Sequence, residues 1–258
     1  MLSKNQVSEI RALHQKKQRE LHRLFIAEGV KTVLELLSFR PQLITHIYGT
    51  SDFVDKHLSQ LGSQKTKFTT ISLAELERIS LLEKPNQVLA VCSYLSEPDL
   101  NFNFESGFSL YLDDIRDPGN FGTLLRLADW YGISKLFCSE GTCELYNPKV
   151  IQASMGAFLR VEVAYTPLAQ LVSTNRIKTV FGALLQGIDL YREKLQPGLI
   201  VIGNEANGIN RENLGFINHP ITIPAAPANK TESLNAAMAA GIICSEFFRQ
   251  LEYKNPES

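Results

Sequence analysis

Nowhere in this chain does an apolar run approach the ~20 residues that cross a bilayer, so no membrane span is expected. The first twenty residues, MLSKNQVSEIRALHQKKQRE, lack the apolar centre of a secretion signal. Cysteine is scarce. Cys92, Cys138, Cys143 and Cys244 form no CxxC pair and keep no metal-ligand rhythm with histidine, which excludes a disulfide framework and any expected metal site. With no export signal, such thiols belong reduced in a cytoplasm. A surplus of one charge is missing too. The 26 Lys and Arg against 27 Asp and Glu leave a net −1, so any polyanion must be held by local patches rather than by a global field. No GxGxxG follows the first strand of the second half, and no glycine loop ends in Lys-Ser/Thr, which excludes the common dinucleotide and nucleoside triphosphate sites.

What remains is an ordinary apolar content, 44% hydrophobic residues over 258, enough for one large or two ordinary domains. The stretch DDIRDPGNFGTLLRLADW, residues 113–130, organises the rest. The apolar run Phe108–Leu112 ahead of it has strand character, and Asp117-Pro118-Gly119 is turn chemistry. Leu124, Leu125, Leu127, Ala128 and Tyr131 then fall at helical spacing. A strand running through a tight turn into a helix is where ligands collect in open α/β sheets. Asn120 stands at that helix start and Arg126 about two turns on. The same two residues also read as a plain helix cap and a solvated cation.

Upstream, residues 1–31 carry seven Lys and Arg against three Glu, a local surplus of four. Ile10, Leu13, Lys17, Leu21 and Leu24 suggest one helix with a packed edge and a basic face, or simply a solvated face. Residues 24–27, 43–48, 67–71 and 88–95 then read as strands, alternating with helices over 30–37, 53–61 and LAELERIS. Ser72 and Glu75 form a capping box for the last of these. This predicts a small α/β binding domain over 1–96. The polar stretch 97–106, with Pro98 and Gly107 at its ends, predicts an interdomain linker.

From 107 to 258 strands and helices alternate again, implying a mostly parallel sheet covered by helices. Strands are expected at 135–138, 160–164, 178–185, 199–202 and 221–223. Asn147-Pro148 and Thr166-Pro167 mark helix starts. The strand at 199–202 empties into GNEANGI, whose Glu205 suits a cation or a hydroxyl donor better than a phosphate, unless the loop is a mere glycine turn. After the irregular loop PAAPANK, residues 232–235 open a long helix in which Ala236, Ala237, Ala239, Ala240 and Gly241 allow close backbone approach.

Together DPGNFGTLLRLAD, IVIGNEANGI and ITIPAAPANKTESLNAAMAAGI resemble the three motifs of the SpoU (TrmH-like) family of SPOUT RNA methyltransferases. The likeness spans residues 108–250, and the three motifs are specific only jointly. A looser likeness, through LFIAEGVKTVLELL and ISLLEKPNQVLAV, links residues 1–96 to the L30e-like substrate-binding module. The resemblance implies a C-terminal domain tied in a deep trefoil knot, an obligate homodimer, and S-adenosylmethionine as methyl donor. It implies transfer of methyl to a ribose 2′-hydroxyl of structured RNA, with 23S-type rRNA favoured over tRNA. A catalytically silent ribosome-assembly factor is the rival from another class.

Carried over residue by residue, Arg126 matches the arginine assigned to activating the hydroxyl. Asn120, Glu205, Ser233 and Asn235 match the polar residues that shape the site. Gly203, Ile223 and Leu234 match positions that hold the cofactor through backbone groups. The loop ANKTESLN departs from the family's usual glycine-bearing loop, and Ala236 stands where valine is common. RNA contacts are expected from Lys16, Lys17 and Arg19 on the basic face, with no metal.

Overall fold

The structure, a computed structural model, describes residues 1–62, 67–228 and 230–253. Asn229 of the PAAPANK loop and the final residues 254–258 lie outside the described residues. The chain divides into two compact units, Met1–Ser96 with Glu144–Leu159, and Glu97–Cys143 with Arg160–Ser258.

The first unit carries a four-stranded mixed sheet in the order β1-β4-β2-β3, built from β1 (Leu24–Glu28), β2 (Ile44–Gly49), β3 (Phe68–Thr70) and β4 (Val88–Ser93). Only the β2–β3 pairing is parallel. Helices α3 (Val30–Phe39), α4 (Ser51–Leu61) and α5 (Leu73–Ile79) fall where apolar spacing placed them. The expected capping box is present: Ser72 accepts from the Glu75 N–H, and the Glu75 carboxylate accepts from Ser72 N–H at 3.0 Å. Those bonds, first that of Ser72 and then that of Leu2 N–H at 2.6 Å, hold the Glu75 carboxyl down to about 2.

The N-terminal segment differs from the single helix expected. It forms α1 (Lys4–Ala12) and α2 (Lys16–His22), broken where Leu13 turns into a core shared with Leu2, Val7 and Ile10. Leu21 is exposed, and Leu24 belongs to β1. Arg19 is buried and faces inward. Its guanidinium donates to the carbonyls of Leu13 (2.9 Å) and His14 (2.8 Å) and pairs with Glu144. This corrects its assignment to the exposed basic face: Arg19 is buried and ties α1, α2 and residue 144 together. The 144–159 segment completes this unit through α7 (Pro148–Ser154), with Tyr146 stacked on Tyr94 and Phe158 edge-on to Phe25.

The second unit is a six-stranded sheet in the order β10-β8-β9-β5-β6-β7, and every pairing is parallel. Its strands are β5 (Phe108–Leu112), β6 (Lys135–Cys138), β7 (Glu162–Tyr165), β8 (Val180–Asp189), β9 (Gly198–Ile202) and β10 (His219–Thr222). β5 and β9 are buried at every residue, as continuous apolar runs in a two-sided sheet should be. The helices are α6 (Pro118–Trp130), α8 (Leu168–Asn175), the short α9 (Arg211–Leu214) and α10 (Ala236–Leu251). Thr166-Pro167 does precede α8, but Pro167 is the cap residue and makes no side-chain cap bond; the Thr166 hydroxyl donates to the Pro167 carbonyl, and its backbone pairs with Cys138 and Tyr111.

The 97–106 stretch is docked on this unit rather than loose. The buried Lys135 ammonium donates to Asp99 and to the Asn101 carbonyl, while Asn175 holds Leu100 and Phe102. Phe104 is buried against Phe102 and Phe137. Composition concealed this because the two phenylalanines alternate with asparagines. Among the described residues no helix is long and apolar enough to cross a membrane.

Candidate active site at the β5 and β9 strand ends

The chain enters this sheet at β5, moves to β6 and β7 on one side, and returns through β8 and β9 on the other. The order therefore reverses between β5 and β9, and a parallel sheet gathers ligands beyond the strand ends at such a point. Both loops leaving that edge carry residues singled out by sequence.

After β5 the backbone turns sharply. Asp114 adopts a left-handed φ of 60°, Asp117 caps α6 by accepting from Asn120 N–H at 2.7 Å, and Pro118 starts the helix. After β9, Gly203 opens a tight loop closed by a bridge between Asn204 and Gly208. The Asn204 carboxamide accepts from Ala206 and Asn207 N–H, and its Nδ2 donates to the Asp114 carbonyl at 2.9 Å. The two loops are thus pinned to each other.

Three side chains meet there. Asn235 caps α10, its Oδ1 accepting from the Ala237 and Met238 N–H groups at 3.0 and 3.2 Å. That fixes its Nδ2 as a donor, and it donates to Asn120 Oδ1 at 2.9 Å. Asn120 must then present its own Nδ2, which donates to the Glu205 carboxylate. Polarity runs in one direction, from the α10 backbone through two carboxamides to a carboxylate, and each bond orients the next. Of the sequence-predicted set, Asn120, Glu205 and Asn235 are brought together. Ser233 stands exposed two residues ahead of the cap.

Arg126 is exposed on α6. Six residues at ~100° each place it about 120° around the helix from Asn120, so it does not face the cluster. Its neighbours along that stripe are Thr123 and Trp130, the latter 83% exposed. Gly203 and Leu234 lie next to the cluster in sequence. Ile223 follows β10 at the same sheet edge but two strands away from β9. The exposed side chains of Leu185 and Ile188, at the far end of β8, add apolar surface near it, since Thr222 donates to the Leu185 carbonyl at 3.2 Å.

Sequence reasoning missed Asp113. It is fully buried, and its carboxylate accepts from Asn210 N–H (2.8 Å), Asn210 Nδ2 (2.7 Å) and Asn213 Nδ2 (2.9 Å), anchoring the far end of the Glu205 loop. The signal was available, since an aspartate ending a wholly apolar strand needs buried donors. Three of the four cysteines, Cys92, Cys138 and Cys244, are buried and take no part. Burial pushes the Cys244 thiol up to about 12, and those of Cys92 and Cys138 also rise, so thiolate chemistry at neutral pH is closed to them.

A wholly parallel sheet with a polar cluster at its switch point, capped by a C-terminal helix, defines an α/β enzyme that binds its ligands at the strand ends. The particular family follows from comparison: residues 107–245 match the SpoU rRNA Methylase family, and the chain belongs to it. Residues 4–90 match the MRM3-like substrate binding domain. Among curated relatives, the 23S rRNA (guanosine(2553)-2'-O)-methyltransferase RlmP of Bacillus subtilis is 28% identical over 249 residues, covering 93% of this chain and 95% of that one. A TrmH-family protein from Porphyromonas gingivalis superposes with a TM-score of 0.83 at 35% identity, covering 97% of this chain and 99% of that one. The AdoMet-bound rRNA methyltransferase of Sinorhizobium meliloti gives 0.84 at 26% identity, covering 98% and 97%.

Proposed function

We propose that the protein is a cytoplasmic, homodimeric, S-adenosylmethionine-dependent methyltransferase acting on a ribose 2′-hydroxyl of 23S-type rRNA. The observation that carries this reading is the Asn235–Asn120–Glu205 chain at the switch point of a SpoU-family sheet. The rRNA methyltransferases among relatives that match this chain over most of its length support rRNA over tRNA.

The residues present fit the methyl donor. Glu205 offers a carboxylate to a sulfonium cation, and Leu234, Ile223, Leu185 and Ile188 offer apolar surface to a nucleobase. When bound, S-adenosylmethionine supplies an electrophilic methyl group. Asn120 and Asn235 hold Glu205 in one orientation, so that its second oxygen is free to accept from a ribose hydroxyl. Arg126 supplies positive charge to dock an RNA phosphate and to stabilise the forming alkoxide, while the hydroxyl proton passes to an RNA phosphate or to water, because a guanidinium with a pKa above ~12 is a poor base.

Arg126 sits about 120° around α6 from Asn120 of its own chain, which supports a site completed by a second copy. Trp130, one turn on from Arg126 on α6, and Met238 on α10 are 83% and 62% exposed, and these two helices pack together through Leu127 and Gly241 and through Tyr131 and Phe248. An exposed tryptophan on a helical face is an anchor for association. Trp130→Glu is therefore expected to convert a dimer to monomers in sedimentation equilibrium and to abolish transfer, with helix content unchanged. A variant that stays dimeric would remove α6 from the interface.

The knotted C-terminus is part of the same reading. β10 pairs with β8 at residues 181–182, then skips to 188–189. Gly187 lies so close to Pro220 that a Cβ would come within 2.8 Å of its backbone. This close passage of β10 along residues 182–188 of β8 supports a threaded C-terminus.

On the first unit, Lys16 and Lys17 remain exposed, while Arg19 does not. Lys16→Glu with Lys17→Glu is expected to weaken rRNA binding several-fold and to flatten its salt dependence by about 0.7–0.9 per lost phosphate contact. Arg19→Met should lower thermal stability without changing that slope. Equal slopes for the wild type and the double lysine variant would return that face to mere solvation.

The whole reading is tested by incubating the protein with labelled S-adenosylmethionine and separated rRNA and tRNA, then mapping the methylated ribose. Label confined to tRNA would replace the substrate, and bound donor with no transfer to either RNA would make the protein a silent binder.

A further inference from the structure

The turn between β5 and α6 holds an arrangement that the reaction as derived does not use. Arg116 is 70% exposed, yet its guanidinium is fixed edge-on by Asp114, with Nη2 at 2.7 Å from Oδ2 and Nε at 3.1 Å from Oδ1. Asp114 itself is buried, with a left-handed φ of 60°. Its N–H donates to Ser139 Oγ at 2.8 Å, and its carbonyl accepts from Asn204, the neighbour of Glu205. Room for its carboxylate exists only because residue 141 is glycine: a Cβ there would come within 2.3 Å of Asp114 Oδ1.

An isolated exposed ion pair contributes little to stability and gives no reason to keep a non-glycine residue in a strained conformation. Strain retained at the lip of a site instead points to a side chain that must be held in one direction. Asp114 occupies two of the guanidinium's five donors. The remaining edge faces solvent, four residues before Asn120. The other charges nearby are Asp117, which has one oxygen committed to capping α6, and the exposed Glu140. Held by Asp114, the free N–H edge of Arg116 is suited to a bidentate oxyanion ligand such as a singly charged phosphodiester, which planar N–H pairs match better than a lysine would.

We propose that Arg116, oriented by Asp114, is a subsite for an RNA backbone phosphate flanking the target ribose. This rests on the RNA methyltransferase reading above. The subsite contributes substrate binding and register, not chemistry.

The test uses the full-length protein and a 23S rRNA transcript. Arg116→Ala is expected to raise the KM for RNA about ten-fold with kcat within two-fold, and to make the slope of log K against log salt less negative by about 0.7–0.9, as one lost phosphate contact requires. Arg116→Lys should keep the salt slope but recover only part of the KM, since it restores charge without the fork. Asp114→Asn, which tolerates the same backbone conformation, should raise KM while S-adenosylmethionine affinity by calorimetry stays constant. Unchanged KM and slope in Arg116→Ala, with a lowered melting temperature, would reduce the pair to a structural contact and overturn the proposal. Weakened donor affinity with unchanged RNA binding would overturn it too, assigning the fork to the donor's carboxylate. Wild-type protein that neither binds nor methylates the transcript would show that the parent reading had failed, a result distinct from either of those.

Discussion

Arg126→Ala is expected to reduce methyl transfer by roughly 10²–10³, the range lost when one preorganised stabilising group is removed. Donor binding, measured by calorimetry, should survive, because Arg126 sits about 120° around α6 from the cluster that faces Glu205. The fold should survive too, since the side chain is exposed. Arg126→Lys separates the two roles an arginine could play. As an electrostatic group, lysine restores attraction but not the planar fork, so activity should return only in part and show no new pH dependence. As a base, lysine with its lower pKa should recover activity steadily as pH rises, following the deprotonated fraction. A climb of that kind would restore the base assignment. Mixing Arg126→Ala with Glu205→Gln protein adds a test of the dimer. If each site takes Arg126 from one chain and Glu205 from the other, heterodimers regain one intact site, and activity should rise above that of either variant alone.

How much of this was legible in the sequence depended on the range of the interaction. β5, β6, β9 and the helices α3, α5 and α7 were readable because apolar runs and cap residues act within a few positions. The roles of Asn120 and Asn235 as helix-start residues were equally local. Their joining through a carboxamide bond, across 115 residues of sequence, was not. It depends on the parallel order that brings α6 and α10 to one edge. Arg19 misled for the opposite reason. Its neighbours Lys16 and Lys17 are solvated, and nothing local distinguishes an arginine whose partners are the carbonyls of Leu13 and His14 and the distant Glu144. The 97–106 stretch reads as an interdomain linker by composition, and its docking through Lys135 and Asn175, both remote in sequence, was not legible. The strained Asp114 was invisible for a related reason: its conformation is set by Ser139, Gly141 and Asn204, none of them adjacent.

Gly203→Ala is expected to be the most damaging single methyl group in the second unit. Gly203 follows β9, every residue of which is buried, and begins the loop that presents Glu205. A Cβ on it would lie 2.3 Å from the Gly208 carbonyl carbon, 2.4 Å from Ile209 N and 2.6 Å from the Gly208 oxygen. Those atoms are backbone, and they cannot swing aside as a side-chain end could. They are also held in place, because Asn204 and Gly208 exchange hydrogen bonds at 3.0 and 2.8 Å, and Asn210 just beyond is clamped by the buried Asp113. The loop must open to admit the methyl, losing that bridge or the Asp113 clamp. Overpacking of this kind costs about 1–3 kcal/mol, and a buried carboxylate left with unmatched donors adds to it. Denaturant unfolding should show at least that loss with an unchanged m-value. The functional effect should exceed it: donor affinity is expected to fall by roughly 10²-fold or more, because displacement by about 1 Å is enough to disorganise a bound reactant's geometry. Asp113→Asn provides the matched control. It keeps the shape of the clamp but turns one accepting oxygen into a donor facing Asn210, so it should reproduce the loss of stability while leaving Gly203 free. Donor affinity close to wild type in Gly203→Ala, with the stability loss present, would show that the loop's backbone does not shape the donor site.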